Sequence, residues 1–572
     1  TDLMKNFICR FRFIVSLAAL FVLLQPTLRA QSQNIELQRL GADFFAWRAV
    51  TQPATGDDIP RIERPDGWKP DVSPEALEVE NMRYREFSKR LNGISRIGWT
   101  RSDSADFLLL RSAIERVNWE LNYLHAPYRN PDFYCHQTLG AVYELLLLSS
   151  PMNDARMENI LLRLESIPTT LKHARTNLQD PLLPFANVAL ANLTDVRTKL
   201  QQTVAALRSE SNKNYHSRLE QSAENAASSL EEYASWLKSK LSTMGSKFSI
   251  GREAYVHYLK TVALIPFTPE EMLVMGRTEF SRAVFFETVE LNRNAGQPPV
   301  PLFNTADEQI AQSRLDEESI RNFLETRNIM TVPADMKHYF NRVLPPHVAP
   351  LSHMGVTDDL TSETRLSEDG ISYVVQPSPK LSFFRRASAQ DPRPLIIHEG
   401  VPGHYFQMVR SWRNSDPIRR HYFDSGANEG IGFYVEEMMV QAGLFDSDRS
   451  RTREIMNRFL RLRALRVEAD IQLATGNFTV AQAADYLAST VPMDRETAEG
   501  EAAFFSYNPG QAITYQIGKI QIQRFMTDAR ALQGKAFSLR EFHDYLMVNG
   551  NVPIALQRWE KLGLQDEVRK LW

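Results

Sequence analysis

Apolar residues recur along this chain at steps of three and four. Leu219, Ala223, Ala226, Leu230, Tyr233 or Ala234, Leu237 and Leu241 form one stripe, the pattern of a long helix with a single core-facing side. The same periodicity marks residues 104–124, 138–149, 193–208 and 270–290, and Thr268-Pro269-Glu270-Glu271 reads as a helix start. Prolines punctuate the connections at Pro298-Pro299, at Pro345-Pro346 and between Gln376 and Pro394. The short alternating run Ile371 to Val375 predicts a strand that would align an extended peptide by main-chain hydrogen bonds. The pattern predicts a mainly α, multi-helix fold with one small β-sheet, and shows no internal repeat.

Composition excludes some functions. The chain has 572 residues, is 43% hydrophobic and 24% charged, and carries a formal charge of −3. That balance lacks the basic stripe with interleaved aromatics of a nucleic-acid surface, so no nucleic-acid partner is expected. Lys5, Arg10 and Arg12 precede the apolar run Phe13 to Leu24, followed by Pro26 and Ala30. An apolar core that short cannot span a bilayer, which needs about 20 residues, so residues 4–30 read as a secretory signal peptide. The expectation is an exported bacterial chain, periplasmic or secreted, with no stable membrane insertion after cleavage. Beyond it lie an N-terminal helical region, 31–245, and a catalytic region, 250–572, around one shared cleft. With Cys9 inside the signal peptide, Cys135 would be the single cysteine of the mature chain and reads as a half-buried small residue.

The chemistry concentrates in His398-Glu399-Gly400-Val401-Pro402-Gly403-His404 and Asn428-Glu429-Gly430. Two imidazoles and a carboxylate suit Zn²⁺, and a catalytic site leaves a position open for water. His398, His404 and Glu429 are therefore the expected ligands of one zinc per chain, with Glu399 as the base that takes a proton from water. The familiar H-E-x-x-H motif places its histidines at i and i+4, one above the other on a helix. Here they stand at i and i+6, and a regular helix would aim them apart. Pro402 and Gly403 break that regularity. Either a widened turn joins the rings, or His398 ends one segment and Pro402 starts the next helix.

These residues resemble the bacterial family catalogued as domain of unknown function 885, whose members look like zinc metallopeptidases. Its H-E-x-x-P-G-H segment followed by Gln is similar to His398 to His404 with Gln407. Its E-G-W-A-L-Y-x-E segment is similar to Glu429 through Glu436, and its P-G-Q-A-x-x-Y-x-x-G segment to Pro509 through Gly518. Weaker likeness begins near Trp47 and includes Gly251-Arg252-Glu253-Ala254-Tyr255. The Asn-Glu-Gly triplet also resembles the glutamate-ligand segment of aminopeptidase-N-type gluzincins. The resemblance implies a metallopeptidase-like fold with its sheet beside the active-site cleft, the same ligand and base roles, and Tyr515 as donor to a tetrahedral oxyanion. Two departures stand out. Ile431 and Gly432 replace Trp and Ala, a change expected to alter packing and not ligands. Ala474 stands where the family tends to have His, with His421 as a conceivable substitute.

Five further residues complete the expectation. Asn428, Tyr434 and Glu436 are candidates to support the ligands, with Tyr434 reading more readily as a packing residue. Arg463 and Arg466, from an arginine-rich helix, are positioned to clamp a substrate carboxylate, although charge on a helix is more often a solvated face. The reading is a zinc metallohydrolase acting on peptide bonds, of the carboxypeptidase or oligopeptidase kind. The alternative is a catalytically inactive peptide-binding or scaffold protein, and the same ligands would also serve a hydrolase of esters or cell-wall amides.

Overall fold

A computed structural model describes residues 35–55, 62–446 and 449–572. The expected signal peptide and Cys9 lie outside the described residues. The described residues are mainly helical with one three-stranded sheet.

The predicted stripe becomes the helix His216–Lys240, which buries Leu219, Ala223, Ala226, Leu230, Tyr233 and Leu237. Tyr233 takes the core position and Ala234 stays partly exposed, while Leu241 falls in the following 3-10 turn. Each fully buried leucine on this face contributes roughly 1.5–3 kcal/mol relative to exposure. The 270–290 periodicity becomes helix α1 (Pro269–Arg293). Its start is a reciprocal cap: Glu271 donates its N–H to Thr268 Oγ1 at 3.2 Å, and Thr268 donates its N–H to Glu271 Oε2 at 2.7 Å. The stretch between Gln376 and Pro394 is more than a connection, because an eight-residue helix, Phe383–Gln390, lies inside it. Cys135 is fully buried, not half-buried, in a cluster of N-terminal helices.

The sheet comprises β1 (Tyr339–Val343), β2 (Asp358–Asp359) and β3 (Gly370–Val374) in the order β1-β3-β2. β1 runs parallel to β3 with Tyr339 opposite Gly370, and β2 runs antiparallel with Asp359 opposite Ile371. The expected strand is present, shifted by one residue. Its expected role is not, because β3 is central and bonded on both sides, leaving its main chain no free edge for an extended peptide.

Apolar packing crosses position 250. One cluster joins Leu219 and Leu230 to Leu351 and Ile371, another joins Phe44 and Leu108 to Tyr422 and Leu556, and a third joins Trp119 to Tyr258 and Ile517. Four helices carry the site: α2 (His404–Ser411), α3 (Ser425–Gln441), α4 (Thr452–Thr475) and α5 (Thr514–Gln533). No described helix is long and apolar enough to cross a membrane.

Candidate metal centre

The i, i+6 spacing is resolved by the backbone between the two histidines. Residues Ile396–Gly400 form a π-turn, closed by the N–H of Val401 on the carbonyl of Ile396 at 2.8 Å. The chain then leaves the helix through a cis Val401–Pro402 bond, and α2 begins at His404 with Gly403 as its cap. Both expected alternatives hold in part: His398 sits in a widened turn, and a new helix follows, starting two residues after Pro402. Only glycine fits at 403, where a Cβ would lie 1.8 Å from the carbonyl oxygen of His398.

This turn brings the imidazoles to 4.8 Å between centroids with their planes at 80°. Glu429, in the second turn of α3, completes the cluster, its Oε2 3.4 Å from the Nε2 of His398 and 3.4 Å from the Nε2 of His404. A tetrahedral zinc with ligand bonds of about 2.0–2.1 Å separates its ligand atoms by about 3.3–3.4 Å, which the two distances from Glu429 to the imidazoles match, and the three candidate ligand atoms all lie within 4.8 Å of one another. All three side chains are buried, and His404 Nε2 and Glu429 Oε2 have no hydrogen-bond partner among the described residues. Buried polar atoms of that kind call for an unseen partner, and their convergence on one point suits a cation.

Electrostatics agree. Burial pulls His398 toward its neutral form, but contacts with Glu429 and Glu436 and the charge of Glu399 prevail, raising its pKa to about 10. For Glu429, burial opposes ionisation, and the two imidazoles overcome it and hold the carboxyl well below the usual range. The pocket favours positive charge.

Glu399 is half-buried, with 23% of its side chain exposed and Oε1 4.0 Å from His398 Nε2, the most solvent-accessible carboxylate of the group. Tyr515, at the start of α5, stacks on His398 at 6.2 Å between centroids and 13° between planes. Glu436 lies behind the cluster, its Oε1 2.7 Å from His398 Nδ1. Gly432 runs directly beneath the ligands, where a Cβ would stand 2.9 Å from Cε1 of His398 and 3.0 Å from Cε1 of His404. The expectation that this position affects packing alone is therefore incomplete: a side chain here would press on both ligand rings.

Other expected residues are placed elsewhere. Asn428 does not reach the imidazoles. Its Nδ2 donates to Gln407 Oε1 at 3.1 Å, and Gln407 Nε2 donates to Asn551 Oδ1 at 2.9 Å, a buried chain that fixes α2 against α3. Tyr434 turns away and pairs its hydroxyl with His543 Nε2 at 2.8 Å. The arginines are engaged by the chain's own carboxylates: Arg463 by Glu436 at 3.1 Å, Arg466 by Glu501, and Arg449, Arg451, Arg453, Arg458 and Arg461 by acids around them. Arg463 and Arg466 are buried and so off any solvated face, whereas Arg451 and Arg458 are partly exposed and pair locally with Glu454, as the solvated-face reading expects. Ala474 packs among Tyr255, Tyr258 and Ile471, and at 1.5 Å per residue it lies about 16 Å along α4 from Arg463. His421 faces Glu363 at 3.0 Å and does not join the cluster of His398, His404 and Glu429.

Sequence reading missed Asp470. Fully buried on α4, it accepts the N–H groups of Gly510 (2.8 Å), Ala512 (2.8 Å) and Ile513 (3.3 Å) and the hydroxyl of Tyr255 (2.9 Å). It thereby anchors the Pro509–Ala512 loop that leads to Tyr515. Its signal in the sequence was its place at the head of the segment Asp470-Ile471-Gln472-Leu473-Ala474, which is similar to the family's D-x-G-L-H.

Fold and site together define a mainly helical protein with a buried two-histidine, one-glutamate cluster. The chain belongs to the bacterial protein family of unknown function DUF885, whose profile matches residues 54–559. It is similar to the structure of a candidate lipoprotein of unknown function from Shewanella oneidensis, with a TM-score of 0.67 and 18% identity over 87% of this chain and 94% of that one. It is also similar to a candidate lipoprotein from Colwellia psychrerythraea, with a TM-score of 0.72 and 15% identity over 93% and 98%. At these identities the likeness is one of fold. No curated protein matches the chain.

Proposed function

We propose that this chain is an exported zinc-dependent metallohydrolase that cleaves peptide bonds. The observation that carries the reading is the convergence of His398 Nε2, His404 Nε2 and Glu429 Oε2, with Glu429 3.4 Å from each imidazole nitrogen and all three within 4.8 Å of one another, and Glu399 beside them on the accessible side. A zinc ion held there would supply Lewis acidity and bring a water's pKa near neutrality. Glu399 would accept that water's proton and pass it to the leaving nitrogen. Tyr515, against His398, would donate to the oxyanion. Glu436 would keep His398 in the tautomer whose Nε2 lone pair faces the ligand site.

The order His-Glu, His, Glu along the chain resembles the gluzincins and supports peptide substrates, of the carboxypeptidase or oligopeptidase kind. Export is supported by the apolar leader-like run at Phe13 to Leu24 and by the description of both similar structures as candidate lipoproteins.

Elemental mass spectrometry of the purified chain beside His398→Ala and His404→Ala tests the reading. One zinc per chain, lost in both variants, is the expected result. A chain that takes up no zinc on reconstitution sinks the enzyme reading and leaves a peptide-binding protein.

A further inference from the structure

Arg463 sits where the metal cluster meets α4. Its Nη2 is 3.1 Å from Glu436 Oε1, the same oxygen that stands 2.7 Å from His398 Nδ1. Glu436 is fully buried, and among the described residues the basic groups touching it are His398 and Arg463. Arg463 Nε and Nη1 are buried without hydrogen-bond partners, and the rings of Tyr515, Phe459 and Phe433 lie 5.2, 5.4 and 5.6 Å from its Cζ. Aromatic faces offset part of the cost of burying a cation with few hydrogen bonds. They also close the approach that a substrate carboxylate would need.

The charges explain the arrangement. An imidazole that ligates a metal through Nε2 is neutral and offers one N–H, at Nδ1. A carboxylate facing that N–H in an apolar interior would be an uncompensated buried charge, which proteins avoid unless it is paired. Arg463 supplies the compensating charge at Oε1, the same oxygen that faces His398, through charge contact: His398 Nδ1 and both oxygens of Glu436 are buried with no aligned hydrogen bond among the described residues. Its planar fork and permanent charge suit that role better than a flexible ammonium would.

We propose that Arg463 is a positioning residue for the metal centre, acting through Glu436 to hold His398 in its ligating orientation. The proposal rests on the reading of His398 as a metal ligand.

The test is zinc affinity, measured by competition with a chromophoric chelator on the wild-type chain, Arg463→Met, Glu436→Gln and the double variant. Each single change should weaken zinc binding roughly tenfold to hundredfold, the usual effect of losing a group behind a ligand. The double variant should bind no more weakly than the worse single, because Arg463 has nothing to act on once Glu436 is neutral. Arg463→Lys covers the case in which the Met variant does not fold, and should fall between wild type and Glu436→Gln. Losses that multiply in the double variant would overturn the proposal, as would wild-type affinity in Arg463→Met, or in Arg463→Lys where that stands in. So would unchanged zinc affinity with a raised KM only for peptides bearing a free C-terminal carboxylate, which would make Arg463 a substrate-binding residue. If the wild-type chain itself binds no zinc, the proposed function fails first and this inference with it.

Discussion

Gly430 and Gly518 stand back to back where α3 crosses α5. A Cβ on Gly430 would lie 2.7 Å from the Cα of Gly518, and a Cβ on Gly518 would lie 2.3 Å from the carbonyl oxygen of Gly426. Backbone meets backbone, so there is no flexible side chain to yield. This crossing fixes α3, which carries Glu429 one residue before Gly430, against α5, which carries Tyr515 three residues before Gly518.

Gly518→Ala should force the helices apart. The expected cost is about 1–3 kcal/mol, as for other overpacked cores, read as a lower Tm in thermal unfolding. Zinc affinity should fall in the same variant because Glu429 moves with α3. An unchanged Tm would mean the crossing has slack that the structure does not display.

Glu399→Gln keeps size and hydrogen-bonding capacity while removing the base. Zinc content should match wild type, and peptide hydrolysis should fall by at least about 10²-fold. Retained hydrolysis would move the proton transfer to another group.

Tyr515→Phe should leave zinc content unchanged, since Tyr515 is read as an oxyanion donor and not as a ligand. Loss of one oxyanion donor predicts a decrease in kcat of about 10²–10³-fold with KM little altered. An effect on KM alone would make Tyr515 a substrate-binding group.

Asp470 predicts a pH dependence of stability. Burial raises its carboxyl to about 7, against the downward pull of the N–H groups of Gly510, Ala512 and Ile513 and the Tyr255 hydroxyl. Between pH 4 and 7 the folded chain therefore holds a proton there that the unfolded chain has released. This contribution to stability is complete below pH 4 and is lost as pH rises through 7, with a slope of about 1 kcal/mol per pH unit. Asp470→Asn should flatten that part of a Tm-against-pH curve, and an unaltered slope would rule the group out as its source.

The pattern along α3 shows how far sequence reaches. Glu436 is seven residues beyond Glu429, close to two full turns, and so returns to the same helix face. Tyr434 is five residues beyond and points elsewhere, and the structure sends it to His543. Helical arithmetic alone separates the two. The same arithmetic placed the Leu219 to Leu237 stripe, because periodicity is a local property that a helix must obey. The helix Phe383–Gln390 was illegible, being too short for a period to stand out among its prolines.

For the site, the sequence by itself determined the candidate ligand set, His398, His404 and Glu429, which the fold brings together, since imidazole and carboxylate chemistry travels with residue type. It also located the break in the helix at Pro402 and Gly403. Tertiary structure decided the rest. The π-turn at Ile396–Gly400 turned an unfavourable spacing into a 4.8 Å ring pair. The packing of α4 against the cluster gave Arg463 to Glu436, 27 positions away, and Asp470 to a loop 40 positions on. Such pairings belong to no local period. They form because a buried charge must find its partner among whatever side chains the folded core brings within reach.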